Sequence, residues 1–107
     1  TSSYSLANCC WRILERTCKN NDIPNIMHWC DSGIASWYDI AIAVGEIGKS
    51  IGLIDKPAYI EPISTNEYPT PAKRAKYCLL DCKSTRSQLS LEPDHWMTTL
   101  GNVLGSL

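Results

Sequence analysis

The stretch NIMHWCDSG, residues 25–33, carries the decision about fold class. Residues 25–30 are a short apolar run, preceded by Asp22 and Pro24 and followed by the turn sequence Asp31-Ser32-Gly33. That length between two turn signals suits a buried strand rather than a helix. His28 and Cys30 alternate there with Met27 and Trp29, as the two faces of a strand require. With helical patterns on either side, the run predicts an α/β fold: a small mixed lobe of three to four helices and two or three short strands.

Upstream, Leu6, Cys10, Ile13, Leu14 and Thr17 recur at helical spacing opposite Arg12, Glu15, Arg16 and Lys19, which predicts an amphipathic helix over residues 6–19. Glu15 and Lys19 form an i, i+4 pair in the favourable order. Downstream, Ser36 with Asp39 three residues later reads as a capping box opening a second helix, in which Ile40, Ala41, Val44, Ile47 and Ile51 share a face. Gly45, Gly48 and Gly52 each lower its propensity by up to ~1 kcal/mol relative to Ala. Either a neighbour packs closely against them or the helix ends between Gly48 and Gly52. Residues 59–63 read as a second short strand and residues 77–80 as an extended segment, while Pro62, Pro69 and Pro71 exclude a regular ladder between. Asp81 or Ser84 is placed to cap a short helix ending near Leu89. Pro93-Asp94 opens a last helix carrying Trp96, Leu100, Val103 and Leu104.

At 107 residues, 44% apolar and 20% charged, the composition fits a single folded domain, residues 1–107, and excludes a disordered tail or a polyelectrolyte. A formal charge of −1 gives no basic excess for a phosphate backbone, which argues against a nucleic-acid partner. No apolar run approaches the ~20 residues of a membrane span, so no membrane partner is expected either. Thr1 stands where an initiator Met would, directly before a helix-like stretch, and the expectation is a piece of a longer chain.

Six cysteines (Cys9, Cys10, Cys18, Cys30, Cys78 and Cys82) fall mostly at apolar-periodic positions of a chain rich in Trp, Tyr, Ile and Leu. They read as free, buried thiols rather than a disulfide framework. Vicinal Cys9 and Cys10 would bond only with strain. The pairs His28/Cys30 and Cys78/Cys82 lack the tight spacing of a zinc knuckle, so no metal site is expected. No glycine-rich phosphate loop occurs, and no Tyr is followed four residues later by Lys, so neither a cofactor site nor a catalytic tyrosine is expected in this chain. His95 reads as a capping or solvent-facing residue. The chemistry-bearing segment is residues 61–77, where prolines stiffen a loop that presents Lys73, Arg74 and Lys76 together. Such a loop suits an anionic ligand, with Arg74 forking onto phosphate oxygens and Tyr68 or Tyr77 stacking on a ring; the bland reading is a rigid connector with solvated charges.

Three runs, SWYDIA (36–41), IMHWCDSG (26–33) and EYPTPAKRAKYCLLD (67–81), give the whole chain a resemblance to a known family. It resembles the C-terminal part of the dTDP-4-dehydrorhamnose reductases, extended short-chain dehydrogenases/reductases of nucleotide-sugar metabolism. The resemblance implies a cytoplasmic substrate-binding lobe that lacks the Rossmann domain, packs against it, and closes over a dTDP-sugar. NADP(H) and the catalytic Tyr-x-x-x-Lys pair would belong to that other domain, leaving this chain without activity alone. Carried over by position, Arg74 and the Pro69-Thr70-Pro71 turn lie towards the nucleotide-sugar, with Thr70 and Tyr68 beside it and Lys73 a weaker contact. The family usually has Pro where this chain has Ala75, and Ser where it has Cys78, changes that relax the loop and remove a hydroxyl. The alternative is a free-standing, self-associating binding module derived from such a lobe. It would cover with a second copy the exposed apolar face left for the Rossmann domain.

Overall fold

The computed structural model describes residues 1–19, 22–72 and 75–107. Among them are four α-helices, α1 (Ser3–Cys18), α2 (Trp37–Ser50), α3 (Lys83–Leu89) and α4 (Trp96–Leu104), and a single 3-10 turn at Thr65–Glu67. The chain divides into two units, one made of Thr1–Ile34 with Leu80–Leu107 and the other of Ala35–Leu79.

The expected α/β class is corrected by the backbone: the described residues form no strand, and their only ladder contact is an isolated parallel bridge between Ser32 and His95. Residues 26–33 do not find a strand beside them. Their polar groups go instead to helices, as the accounting of backbone donors and acceptors requires. The His28 N–H donates to Thr85 Oγ1 of α3 at 3.1 Å, the Trp29 indole N–H to Ser5 Oγ of α1 at 2.9 Å, and Ser32 N to the Asp94 carbonyl at 2.9 Å. The segment is also less buried than a core strand, since Ile26 is 77% exposed. Residues 59–63, the second expected strand, stand in solvent with Tyr59 90% exposed, and Pro62 has no N–H to give a ladder.

Asp31 organises the first unit. Its buried carboxylate Oδ2 accepts from the Ser2 N–H at 2.9 Å, at the N-cap of α1, and from the Thr99 hydroxyl at 2.8 Å, inside α4. Burial pushes this carboxyl up, but the hydrogen bonds from Ser5, Ser2 and Thr99 outweigh burial and hold it below its ordinary value. Gly33 follows with φ +90, and any Cβ there would collide with the His95 ring, so only glycine lets the chain turn against α4. The face that α1 buries is not the predicted one. Cys9 is its buried residue, whereas Leu6, Leu14 and Cys10 are exposed.

In the second unit α2 carries the expected capping box. Ser36 Oγ accepts from the Asp39 N–H at 3.1 Å, and Asp39 Oδ2 accepts from the Ser36 N–H at 2.7 Å. Both alternatives offered for its glycines hold. A Cβ on Gly45 would lie 3.0 Å from Pro57 Cβ, Gly48 is buried 3.5 Å from Ile54, and the helix ends before Gly52, whose φ is +75.

Four outcomes follow for stability. Thr99→Val should cost about 1–3 kcal/mol by urea unfolding, because it takes a donor from a buried carboxylate. Because the Asp31 carboxyl is lowered on folding, its contribution is present above the ordinary value of 3.8 and is lost as pH falls below it. The wild type should therefore lose stability through that acid range, and Asp31→Asn should flatten the loss. In α2, Gly48→Ala should stabilise by up to about 1 kcal/mol, since an added methyl meets Ile54 at ordinary contact distance. Gly52→Ala should destabilise by about 1 kcal/mol, since its left-handed backbone strains any Cβ.

Candidate functional site

The candidate ligand loop, residues 61–81, belongs mostly to the second unit. It is irregular apart from the 3-10 turn, because prolines at 62, 69 and 71 deny it both ladder donors and helical continuation. A second capping arrangement holds that turn: the Ser64 N–H donates to Glu67 Oε2 at 2.6 Å and Glu67 N to the Ser64 carbonyl at 3.0 Å. The hydrogen bonds from the Ser64 side chain and backbone keep the Glu67 carboxyl below its ordinary value. Tyr68 follows immediately, as the C-terminal cap of the turn, with its ring 69% exposed.

Thr70 lies in the next bend, where its hydroxyl donates to the Ala72 carbonyl at 3.1 Å, so its conformation is set locally. Tyr77 is exposed, and the Cys78 thiol, where the resemblance led one to expect Ser, contacts the Ala75 carbonyl at 3.3 Å. Lys73 and Arg74, the two charged residues singled out from the sequence, lie outside the described residues. Tyr68 and Thr70 are therefore brought into one short, internally hydrogen-bonded run with their side chains in solvent. Such a run can offer a flat aromatic face and a hydroxyl to a ligand without first extracting either from a core.

Two of the first unit's cavities lie against α1. One, of about 370 Å³, is bordered by Ser2, Ser5 and Asn8 of the α1 end and by Thr99 and Asn102 of α4. The other, of about 380 Å³, is lined by Arg12, Glu15, Arg16 and Lys19 with Leu89 and Ser90. Arg12, Arg16 and Lys19 recur on one α1 face, a spacing visible in the sequence but read there as a solvated side. Glu15 accepts from Arg12 at 3.3 Å and offsets part of that charge.

No group of three or more metal-ligating side chains occurs among the described residues, and His28 is exposed rather than packed. All six cysteines are free, but only Cys9 and Cys82 are buried; Cys10, Cys18 and Cys78 are exposed, which corrects the expectation of buried thiols. Among the described residues, α1 opens on Ser2 and α2 on a capping box that already uses its first donors. His95 does cap α4, its Nδ1 accepting from the Met97 N–H at 3.3 Å. No helix among the described residues is long and apolar enough to cross a membrane.

By sequence, residues 1–107 match the family model described as the RmlD substrate binding domain. The chain is 27% identical over 104 residues to a dTDP-4-dehydrorhamnose reductase of Aggregatibacter actinomycetemcomitans, covering 96% of this chain and 35% of that protein. It is 25% identical over 107 residues to a dTDP-4-dehydrorhamnose reductase of Escherichia coli (strain K12), covering 100% of this chain and 36% of the relative. It is 29% identical over 82 residues to the spore coat polysaccharide biosynthesis protein SpsK of Bacillus subtilis (strain 168), covering 76% of this chain and 26% of that protein. The chain thus spans about a third of the length of the two reductases and about a quarter of the third relative. No solved structure matches at a significant level.

The 3-10 turn yields a direct check on the loop. In an NMR titration the Glu67 carboxyl should titrate below the ordinary glutamate value of 4.5, and Ser64→Ala should move it back towards that value. An unchanged titration in the variant would show that the Ser64 side chain does not hold the turn.

Proposed function

We propose, from the premise that this chain belongs to the RmlD substrate binding domain family, that it is the dTDP-sugar-binding portion of a reductase in dTDP-rhamnose formation. The observation that carries this reading is the family match across residues 1–107, within which residues 68–72 of the run YPTPAKR (68–74) lie in an exposed, locally hydrogen-bonded stretch. In this reading Tyr68 stacks on the ligand's base or sugar and Thr70 donates or accepts a hydrogen bond at its edge. Arg74 forks onto the diphosphate and Lys73 adds a point charge. Hydride donation from NADP(H) is the work of residues outside this chain, so the 107 residues bind but do not reduce.

Calorimetry with dTDP is the test. Saturable binding is expected, weakened at least tenfold by Arg74→Ala and severalfold by Tyr68→Ala. Binding unchanged in both variants, or none at all, would overturn the assignment of the loop.

A second reading is favoured by the outward face of α1, where Tyr4 (70% exposed), Trp11 and Leu14 lie seven and three residues apart and stand largely in solvent. In it the chain is a binding module that covers this stripe with a second copy. Sedimentation velocity should then show association that grows with concentration and is abolished by Trp11→Glu. Strictly monomeric behaviour would remove this reading.

A further inference from the structure

The strongest feature not used by the ligand loop is a pair of thiols. Cys30, in the extended segment 26–33, and Cys82, the N-cap of α3, are 52 residues apart in sequence and place their sulfurs 3.5 Å apart in the first unit. The segment and the helix are already tethered beside the pair, where the His28 N–H donates to Thr85 Oγ1 one turn into α3. A disulfide requires its sulfurs at about 2.0 Å, so closure needs an approach of only about 1.5 Å by two side chains on anchored backbones.

Exposure separates the roles of the two. Cys82 is 3% exposed, while Cys30 is half-buried. Burial first, and then the contact with Cys30, pushes the Cys82 thiol up and keeps it protonated. Cys82 nevertheless borders an open cavity of about 560 Å³, which it shares with Asp81, Lys83 and Arg86. Arg86, one helical turn on, has a buried Nε without a hydrogen-bond partner among the described residues.

We propose that Cys30 and Cys82 form an oxidant-sensitive dithiol site that a peroxide converts to a disulfide. The Cys30 sulfur, as thiolate, attacks the peroxide O–O bond and becomes a sulfenic acid, with release of one water once its proton is counted. The Cys82 sulfur then displaces the hydroxyl of that sulfenic acid, its own proton leaving with it as a second water. Two thiols lose two protons and two electrons, and one hydrogen peroxide becomes two waters. The bond joins the two stretches of chain that lead into and out of Ala35–Leu79, so the loop it closes contains that whole unit. A closed loop of this length restricts the unfolded chain and raises the stability of the first unit.

The test uses the folded, fully reduced protein exposed to hydrogen peroxide, alkylated and mapped without reductant. Free thiols should fall from six to four, the mass should drop by two hydrogens, and a single Cys30–Cys82 linked peptide should appear and vanish with reductant. The thermal midpoint should rise on oxidation. Cys82→Ser should leave Cys30 trapped as a sulfenic acid that a dimedone probe labels, with circular dichroism showing the helices intact. The same treatment in denaturant should scramble the pairs. Linkage among Cys10, Cys18 and Cys78 instead, bonds only between molecules, or the same Cys30–Cys82 yield in denaturant would overturn the proposal.

Discussion

One buried carboxylate holds the first unit together. Asp31 sits at the end of an extended segment that has no sheet to join, and its Oδ2 accepts from the N-cap of α1 and from a hydroxyl within α4. A charge taken out of water must recover its hydration from fixed donors, and here those donors are the helices themselves. Their relative placement is thereby coupled to a single side chain. Burial would raise this carboxyl, and the hydrogen bonds from Ser5, Ser2 and Thr99 hold it below its ordinary value, while the neighbouring Trp29–Ser5 and His28–Thr85 bonds extend the same arrangement along the segment.

That dependence on polar contacts follows from how little apolar matter is enclosed. Cys9, Ala43, Cys82 and Leu89 are the buried hydrophobic residues among those described, while Trp11, Trp37, Tyr59 and Tyr77 stand largely in solvent. Small side chains and hydroxyls let helices approach closely, but they bury little area and contribute correspondingly little hydrophobic stabilisation. A chain so built has aromatic surface left for other molecules. One of these buried residues, Cys82, meets Cys30 through sulfur, the two thiols lying 3.5 Å apart between the segment and α3.

The second unit is ordered by local chemistry. Two capping arrangements, Ser36 with Asp39 and Ser64 with Glu67, fix the start of α2 and the turn that precedes the YPTPAKR loop. Gly45 and Gly48 let Pro57 and Ile54 pack back on α2, which directs the chain into the loop after the helix has ended at Ser50. The described part of this loop takes its conformation from hydrogen bonds two or three residues apart and from proline rings.

The sequence by itself determined what depends on near neighbours. The α2 capping box, the glycine-linked end of that helix and the capping role of His95 were legible, because each rests on residues within a few positions of one another, whereas α3 starts from Cys82 rather than from a cap at Asp81 or Ser84. The family was likewise legible, carried by three short runs. Tertiary structure decided the rest. Whether residues 26–33 became a strand depended on whether a distant strand lay beside them; helices took their hydrogen bonds instead, and an apolar run carries no record of that choice. Which face of α1 is buried depended on Asp31 and Trp29 docking against Ser2 and Ser5, so a hydroxyl-bearing side won over the one with Leu6 and Leu14. The partner of Cys30, 52 residues away, depended on where the fold returned α3 to that segment.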